Sequence, residues 1–377
     1  MRLLIASDSF KGTYSSAEVA SFLKEGVLSV EPDCNVFCVE VSDGGEGFLE
    51  ALSSADKRLR RVETETFDAL MRPIVAPFLH DGKTAYVESA LTCGLSRLAL
   101  RERNPLNTTT FGLGCQILSA LQTGCDRIVI GLGGTGTHDC GMGMLQALGV
   151  RFYDASNRLI PDGSRAKELL FCKYADMAEI DETVARTAFV AASDVKNPLV
   201  GENGAAKVFA PQKGADAATV EMLEFGTVHA CQVLERRCSK SLNFDGAGAA
   251  GGLGAALNVF KNVQTVSGAD IILKAADFEG LLRSGIDGVI TGEGRTDAQT
   301  LFGKLPLKVA SAAQKYGVPV LLVCGTVKAG SDQLLLKGVT KIKPLFQESL
   351  SLETLLRDTP EALRKTGREA VSFFKNG

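Results

Sequence analysis

Residues 127–149, RIVIGLGGTGTHDCGMGMLQALG, set a carboxylate inside a glycine-dense turn. Glycines let a backbone approach a ligand closely, and the free N–H groups of a helix start attract anions. A carboxylate in the same turn repels a phosphate unless a metal ion lies between them. Gly133, Gly134, Thr135 and Thr137, with Asp139 just after them, therefore suggest a metal–phosphate site. The chain repeats the pairing twice, in Asp43-Gly44-Gly45-Glu46-Gly47 and in Gly292-Glu293-Gly294-Arg295-Thr296-Asp297.

The same glycines admit a second chemistry. Gly131, Gly133 and Gly136 fit G-x-G-x-x-G after a strand, with Asp154 about where a ribose-binding acid would sit, and Gly246, Gly248 and Gly251 fit it again. An NAD-dependent oxidoreductase using residues 131–136 is thus the competing reading. Against it, Asp139 would meet the dinucleotide's pyrophosphate unshielded. The second match comes after a poor strand, SLNFD, and runs into small residues suited to close helix packing.

These turns need strands to carry them. Leu3–Ala6 reads as a buried strand ending at Asp8 and Ser9, and apolar residues from Ala17 to Val27 mark a helix with Ser15 or Ser16 as N-cap. Val36–Val41 precedes Asp43, Ile128–Ile130 precedes the central turn, Ala188–Ala192 precedes Asp194, and Gly288–Thr291 precedes Glu293. A helix from about Leu305 to Tyr316 and a strand over Val318–Val323 come next. Carboxylates at strand ends and alternating helices predict an α/β protein with parallel sheets, whose ligands gather at the carboxyl ends of strands. Residues 66–90 read instead as short extended pieces with a hairpin turn at His80-Asp81-Gly82-Lys83. The expected architecture is a Rossmann-like domain built from residues 1–65 and 265–377, a second α/β domain inserted over 66–264, and an active site in the cleft between them.

The chain has 377 residues, and its net charge of −3, with no basic run beyond pairs, argues against nucleic acid or an anionic membrane as partner. No apolar run reaches the ~18 residues of a membrane helix, and the start lacks a signal-peptide pattern. Ten cysteines without C-x-x-C spacing and three scattered histidines disfavour zinc and fit a reduced, cytoplasmic protein. Cys140 adjoins the central turn but reads as core filler. The sequence leaves a homodimer open.

Taken in order, eight segments resemble the glycerate kinase family of the bacterial type-I kind. They are ASDSFKGTYSSAEVA, VSDGGEG, ESALTCGL, RNPLNTTTFG, IGLGGTGTHDCGMGMLQALG, ASDVKNPLVGENGAAKVFAPQKGA, FDGAGAAGGLGAAL and TGEGRTDAQTLFGKLP, spanning most of residues 5–325. The resemblance implies ATP- and Mg²⁺-dependent phosphorylation of D-glycerate, with 2-phosphoglycerate as product. A non-catalytic metabolite-binding protein of the same fold is the remaining alternative. No Walker-type G-x-x-x-x-G-K-[ST] occurs.

Phosphoryl transfer needs cations on the γ-phosphate, carboxylate-held magnesium and an oriented hydroxyl. Lys11, close after Asp8, is the first choice for the phosphate cation, with Lys213 and Lys304 as further candidates. Asp194, at a strand end, suits a general base, against an Asx turn as the plain alternative. Arg295 suits a bidentate grip on the glycerate carboxylate or on a phosphate. Asp43, Glu46, Asp139, Glu293 and Asp297 are the candidate magnesium ligands, although Glu46 also fits a helix N-terminal acid. Asn104 with Thr108 and Thr109 offers anion donors or simple caps. Five positions depart from the family pattern: Ser7 for Pro, Thr135-Gly136 for Ser-Ala, His138 for Asn, and Cys140 for Gly. His138 can ionise near neutrality and would shift ligand preference if it faced the ligand.

Overall fold

The computed structural model describes residues 1–10, 12–296, 305–328, 330–348 and 350–376. They divide into two units, Met1–Asp43 with Glu50–Lys57 and Gly268–Gly377, and Gly44–Leu49 with Arg58–Ser267.

The first unit holds five strands, β1 (Arg2–Ser7), β2 (Asn35–Cys38), β11 (Gly288–Thr296), β12 (Val320–Val327) and β13 (Lys341–Pro344). All pair in parallel, in the order β13-β12-β11-β1-β2. Numbered within the unit, that is 2-1-3-4-5, the flavodoxin-type doubly-wound sheet rather than the 3-2-1-4-5-6 order of dinucleotide-binding domains. Its central strands carry buried apolar runs, Leu3–Ala6, Val289–Ile290 and Val320–Cys324, as strands covered on both faces do. Helix Ser16–Val30 starts at Ser15, whose side chain accepts from the Glu18 amide while Glu18 reaches back, a capping box. Val19, Leu23 and Val27 are buried in the same apolar cluster as Leu3, Ile5 and Ile290.

The second unit carries β3 (Arg60–Phe67), β4 (Pro73–His80), β5 (Thr84–Glu88), β6 (Arg127–Gly131), β9 (Ala188–Ala192) and β10 (Val263–Val266) in the order β10-β9-β6-β5-β4-β3. β5, β6, β9 and β10 are parallel, while β4 runs against both β5 and β3. A separate two-stranded ribbon joins β7 (Arg151–Tyr153) to β8 (Tyr174–Asp176). At the turn between β4 and β5, Asp81 Oδ1 accepts from the amides of Lys83 and Thr84. β3 pairs with β4 over its whole length, so the chain has left the first unit before Arg60. Register sets the end of this sheet: Glu88 of β5, Gly131 of β6 and Ala192 of β9 stand side by side at the carboxyl edge.

Candidate active site

In the first unit, Ser7 pairs with Gly292, so Asp8 and Glu293 emerge side by side from β1 and β11. Those two strands flank the topological switch point of the 2-1-3-4-5 order, where such sheets bind ligands. Both carboxylates are buried, at 8% and 7% exposure. Asp8 Oδ1 accepts from the Ser9 amide at 2.8 Å, and Glu293 accepts from the Thr296 hydroxyl at 2.9 Å. Arg295 is exposed farther along β11, level with Thr326. Asp43 is half-buried at the end of its turn. Lys11, Asp297 and Lys304 lie outside the described residues.

The second unit builds its edge around the turn after β6. The Leu132 amide donates to Ala192 O at 2.9 Å, which places the glycine turn beside Ser193 and the half-buried Asp194. Ser89 Oγ donates to Gly131 O at 2.7 Å, and Leu95 N donates to Gly134 O at 2.8 Å. A Cβ on Gly133 would come within 2.6 Å of Gly45 Cα, so the two glycine turns touch backbone to backbone. A Cβ on Gly134 would stand 3.1 Å from Glu46 Cγ. Gly134 and Glu46 are exposed, and Gly133 is half-buried. The structure thus brings Gly133, Gly134, Thr135, Glu46 and Asp194 to one sheet edge.

Lys213 comes in beneath them. It lies in the short 3-10 turn Pro211–Lys213, is 3% exposed, and donates from Nζ to Thr137 O at 2.7 Å and to the Thr135 hydroxyl at 3.4 Å. Burial lowers its pKa to about 8, while Asp139 and Cys93 nearby pull the other way.

Several of the sequence candidates are engaged by hydrogen bonds within the fold. Asp139 is fully buried and saturated: Oδ2 accepts from the Thr110 amide and hydroxyl, both at 2.8 Å, and from Gly143 N at 3.1 Å, while Oδ1 accepts from Gly141 N at 3.2 Å. Burial pushes its pKa up and those donors oppose it, so the carboxylate anchors the turn. Thr108 and Thr109 are fully buried, and their hydroxyls donate inward, to Pro105 O and Gly136 O and to Asp139 respectively. Asn104 Oδ1 caps the short helix Pro105–Asn107 by accepting from Leu106 N at 3.0 Å. Thr137 is fully buried and serves through its carbonyl, which accepts from Lys213.

The neighbours of the turn are also structural. His138 is fully buried with Nε2 3.3 Å from the Thr227 hydroxyl, and burial lowers its pKa to about 3, so a neutral imidazole faces the interior. Cys140 is buried and burial pushes its thiol far up, which keeps it an inert thiol. The oxidoreductase reading loses its ribose acid, because Asp154 accepts from Ser156 N, Arg158 N and Arg158 Nε within a surface turn.

Glu88 and Ser89 open the segment ESALTCGL, to which the sequence alone gives no role. Glu88 is 1% exposed and accepts from the amides of Gly47 and Leu49 at 3.3 and 3.1 Å, fixing the turn that carries Glu46. The available signal was a polar pair directly after an apolar strand, the same arrangement that marked Asp8 and Asp194. Among the described residues, no three His, Cys, Asp or Glu side chains gather to hold a metal ion. Magnesium bound with a nucleotide takes one or two carboxylates plus phosphates and water, and Glu46 beside Gly134 fits that smaller requirement.

The chain has known relatives over its whole length. The profile of the glycerate kinase family matches residues 3–375. A glycerate kinase of Bacillus subtilis (strain 168) is 37% identical over 378 residues, covering 100% of this chain and 98% of that protein. A glycerate 2-kinase of Escherichia coli (strain K12) is 39% identical over 384 residues, covering 100% and 99%. A crystal structure from Salmonella typhimurium LT2, described as a candidate glycerate kinase 2, superposes with a TM-score of 0.79 at 35% identity over 100% of this chain and 99% of that one.

Proposed function

The chain belongs to the glycerate kinase family, and from that premise we propose that it transfers the γ-phosphoryl group of ATP to D-glycerate, giving 2-phosphoglycerate and ADP. In the proposed step the substrate hydroxyl oxygen forms a bond to the γ-phosphorus. The bond from that phosphorus to the β–γ bridging oxygen breaks, and ADP leaves with the electron pair. Asp194 takes the hydroxyl proton, a role suited to a carboxylate at a parallel-sheet carboxyl edge beside the glycine turn.

Gly133, Gly134 and Thr135 present backbone and hydroxyl to phosphate, with Lys213 beneath. Arg295 and Lys11 supply cations for the transferred group or the glycerate carboxylate, and Lys304 is a further phosphate cation. Asp8 and Ser9 complete the substrate contacts at the switch point of the first sheet. Glu46 is the best-placed described ligand for Mg²⁺, with Asp43, Glu293 and Asp297 as the other proposed carboxylates. When bound, Mg²⁺ would neutralise phosphate charge.

The observation that carries this reading is the convergence at one sheet edge of an exposed glycine turn, a buried ammonium and a half-buried Asp194. The test is ADP release from ATP and Mg²⁺ with D-glycerate, with L-glycerate and no acceptor as controls, and then ³¹P NMR of the product. D-glycerate-dependent ADP and coupling of phosphorus to the C2 proton are expected. ADP release equal to the no-acceptor control overturns the activity, and coupling to the C3 protons overturns the product.

A further inference from the structure

Helix Ala217–Cys238 of the second unit has two sides of unlike burial and unexpectedly like chemistry. Leu223, Thr227, Ala230, Cys231 and Leu234 are buried at the spacing of one helix face. The other side shows Met222 and Phe225, 44% and 67% exposed, where a helix facing only water carries polar residues.

A second segment extends that apolar surface. The 3-10 helix Ala166–Leu170 packs at Gly226, where a Cβ would stand 3.2 Å from Leu169 Cβ and 3.6 Å from Leu170 Cδ2. One turn on, His229 Nε2 donates to Cys172 O, and farther along the Arg237 guanidinium lies 5.2 Å from the Tyr174 ring centre. Residues 169–174 therefore run alongside the helix from Gly226 to Arg237. They bring Phe171 and Tyr174, 64% and 43% exposed, to its flank. Aromatic side chains and Met clustered on a surface, with Arg at the margin, match the composition of protein interfaces.

The charges on the same helix indicate what fits against it. Glu221 and Arg236 are both exposed and lie about four turns apart, one on each side of Phe225. Their neighbours are already committed: Glu224 accepts from Gly201 N, Lys207 pairs with Glu202, and Arg237 pairs with Asp176. Among the described residues, Glu221 and Arg236 enter no ion pair. A second copy turned about a two-fold axis lays its helix antiparallel on the first. That sets the apolar clusters together and puts Glu221 of each copy opposite Arg236 of the other.

We propose that the exposed side of helix Ala217–Cys238, with Phe171 and Tyr174, is a two-fold interface between two copies of this chain. The sequence leaves a homodimer open, and this face gives it a surface. Apolar burial supplies the affinity, since exposed ion pairs contribute little; the charges set the antiparallel direction. The proposal does not depend on the reaction assigned above.

The experiment is sedimentation velocity on the full chain from about 1 to 100 µM, a range that covers interfaces of modest affinity. The parent should sediment at twice the mass of the chain at the upper end. Phe225→Glu should weaken the dimer about tenfold or more by placing a charge in the apolar contact. Glu221→Arg and Arg236→Glu should each weaken it about three- to tenfold through like charges, and the double variant should return to within about threefold of the parent. A parent that stays monomeric overturns the proposal, including the case in which the face receives a different macromolecule. Dimerisation unchanged in Phe225→Glu places the contact elsewhere and overturns it too. A double variant no tighter than either single one overturns the antiparallel pairing. Should Phe225→Glu fail to fold, Phe171→Asp, on a separate segment, decides the same point with the same two outcomes.

Discussion

The two glycine-rich segments of the second unit, residues 131–136 and 246–251, share the G-x-G-x-x-G spacing and differ in exposure. The first comes directly after β6, exposes Gly134 and half-exposes Gly133 at the sheet's carboxyl edge, and is held by Ser89 at Gly131 O and by Lys213 at the Thr135 hydroxyl. The second is packed inward: the Gly251 carbonyl accepts from Cys140 N, and Gly246 N and Gly248 N donate to Asn197 O. Its glycines remove side chains so that backbones can touch. Spacing alone does not distinguish a ligand turn from a packing joint. The distinction lies in whether the segment caps a strand end and in which groups are buried under it.

That contrast can be broken at several points. The largest effect is expected at Asp194, which stands beside the first segment. Asp194→Asn should keep nucleotide binding, measured by calorimetry, and lose about 10²–10⁴-fold in kcat. An unaltered kcat would remove both the base and the argument that this edge faces the chemistry. Next comes the packing joint. Gly251 has a φ of +69°, and a Cβ there would stand 2.2 Å from Thr137 O. Gly251→Ala should therefore cost about 3 kcal/mol in urea unfolding, since backbone cannot yield as a flexible side chain can.

His138 gives a pH test. Its folded pKa is lowered to about 3 from 6.5, so the unfolded chain takes up a proton that the folded protein refuses. Its contribution is fully present above pH 6.5 and is lost as pH falls toward 3. Between pH 6.5 and 5 this is worth about 2 kcal/mol. His138→Asn should remove that part of the slope, and an unchanged Tm-versus-pH profile would show that the imidazole is not buried neutral. The smallest stability effect belongs to the ligand turn. Gly134→Ala meets only the Glu46 and Ala90 side chains and a φ of +65°, costing about 1 kcal/mol. It should still reduce kcat/KM about tenfold or more by shifting the turn. A stability loss as large as that of Gly251→Ala would erase the distinction between the two segments.

Much of this arrangement is legible in the chain itself. β1, β6, β9 and β11 are marked by apolar runs ending in polar turns, because strands buried on both faces cannot alternate. Asp8, Asp194 and Glu293 are legible for the same reason: a charged residue directly after such a run sits at a strand end. β3 was passed over because RRVETETF is a polar edge strand without the apolar run that marks a buried one. The roles of Glu88 and Ser89, within the quoted segment ESALTCGL, are not legible for a different cause, since their partners are more than 35 residues away in sequence.

By itself, the sequence determined the class of fold, the strand ends at which chemistry can occur, and the family through its ordered motifs. These are local properties of apolar runs, glycine turns and neighbouring charges. Only the tertiary structure decided which polar groups face inward. Asp139, Thr108 and Thr109, candidates for ligands in the chain, are bonded within the interior, His138 is buried there as well, and Lys213 is buried with no ion-paired carboxylate among the described residues. The physical reason is that burial and hydrogen-bond satisfaction are set by segments distant in sequence. A carboxylate is a ligand or an anchor according to how many donors the rest of the fold brings to it.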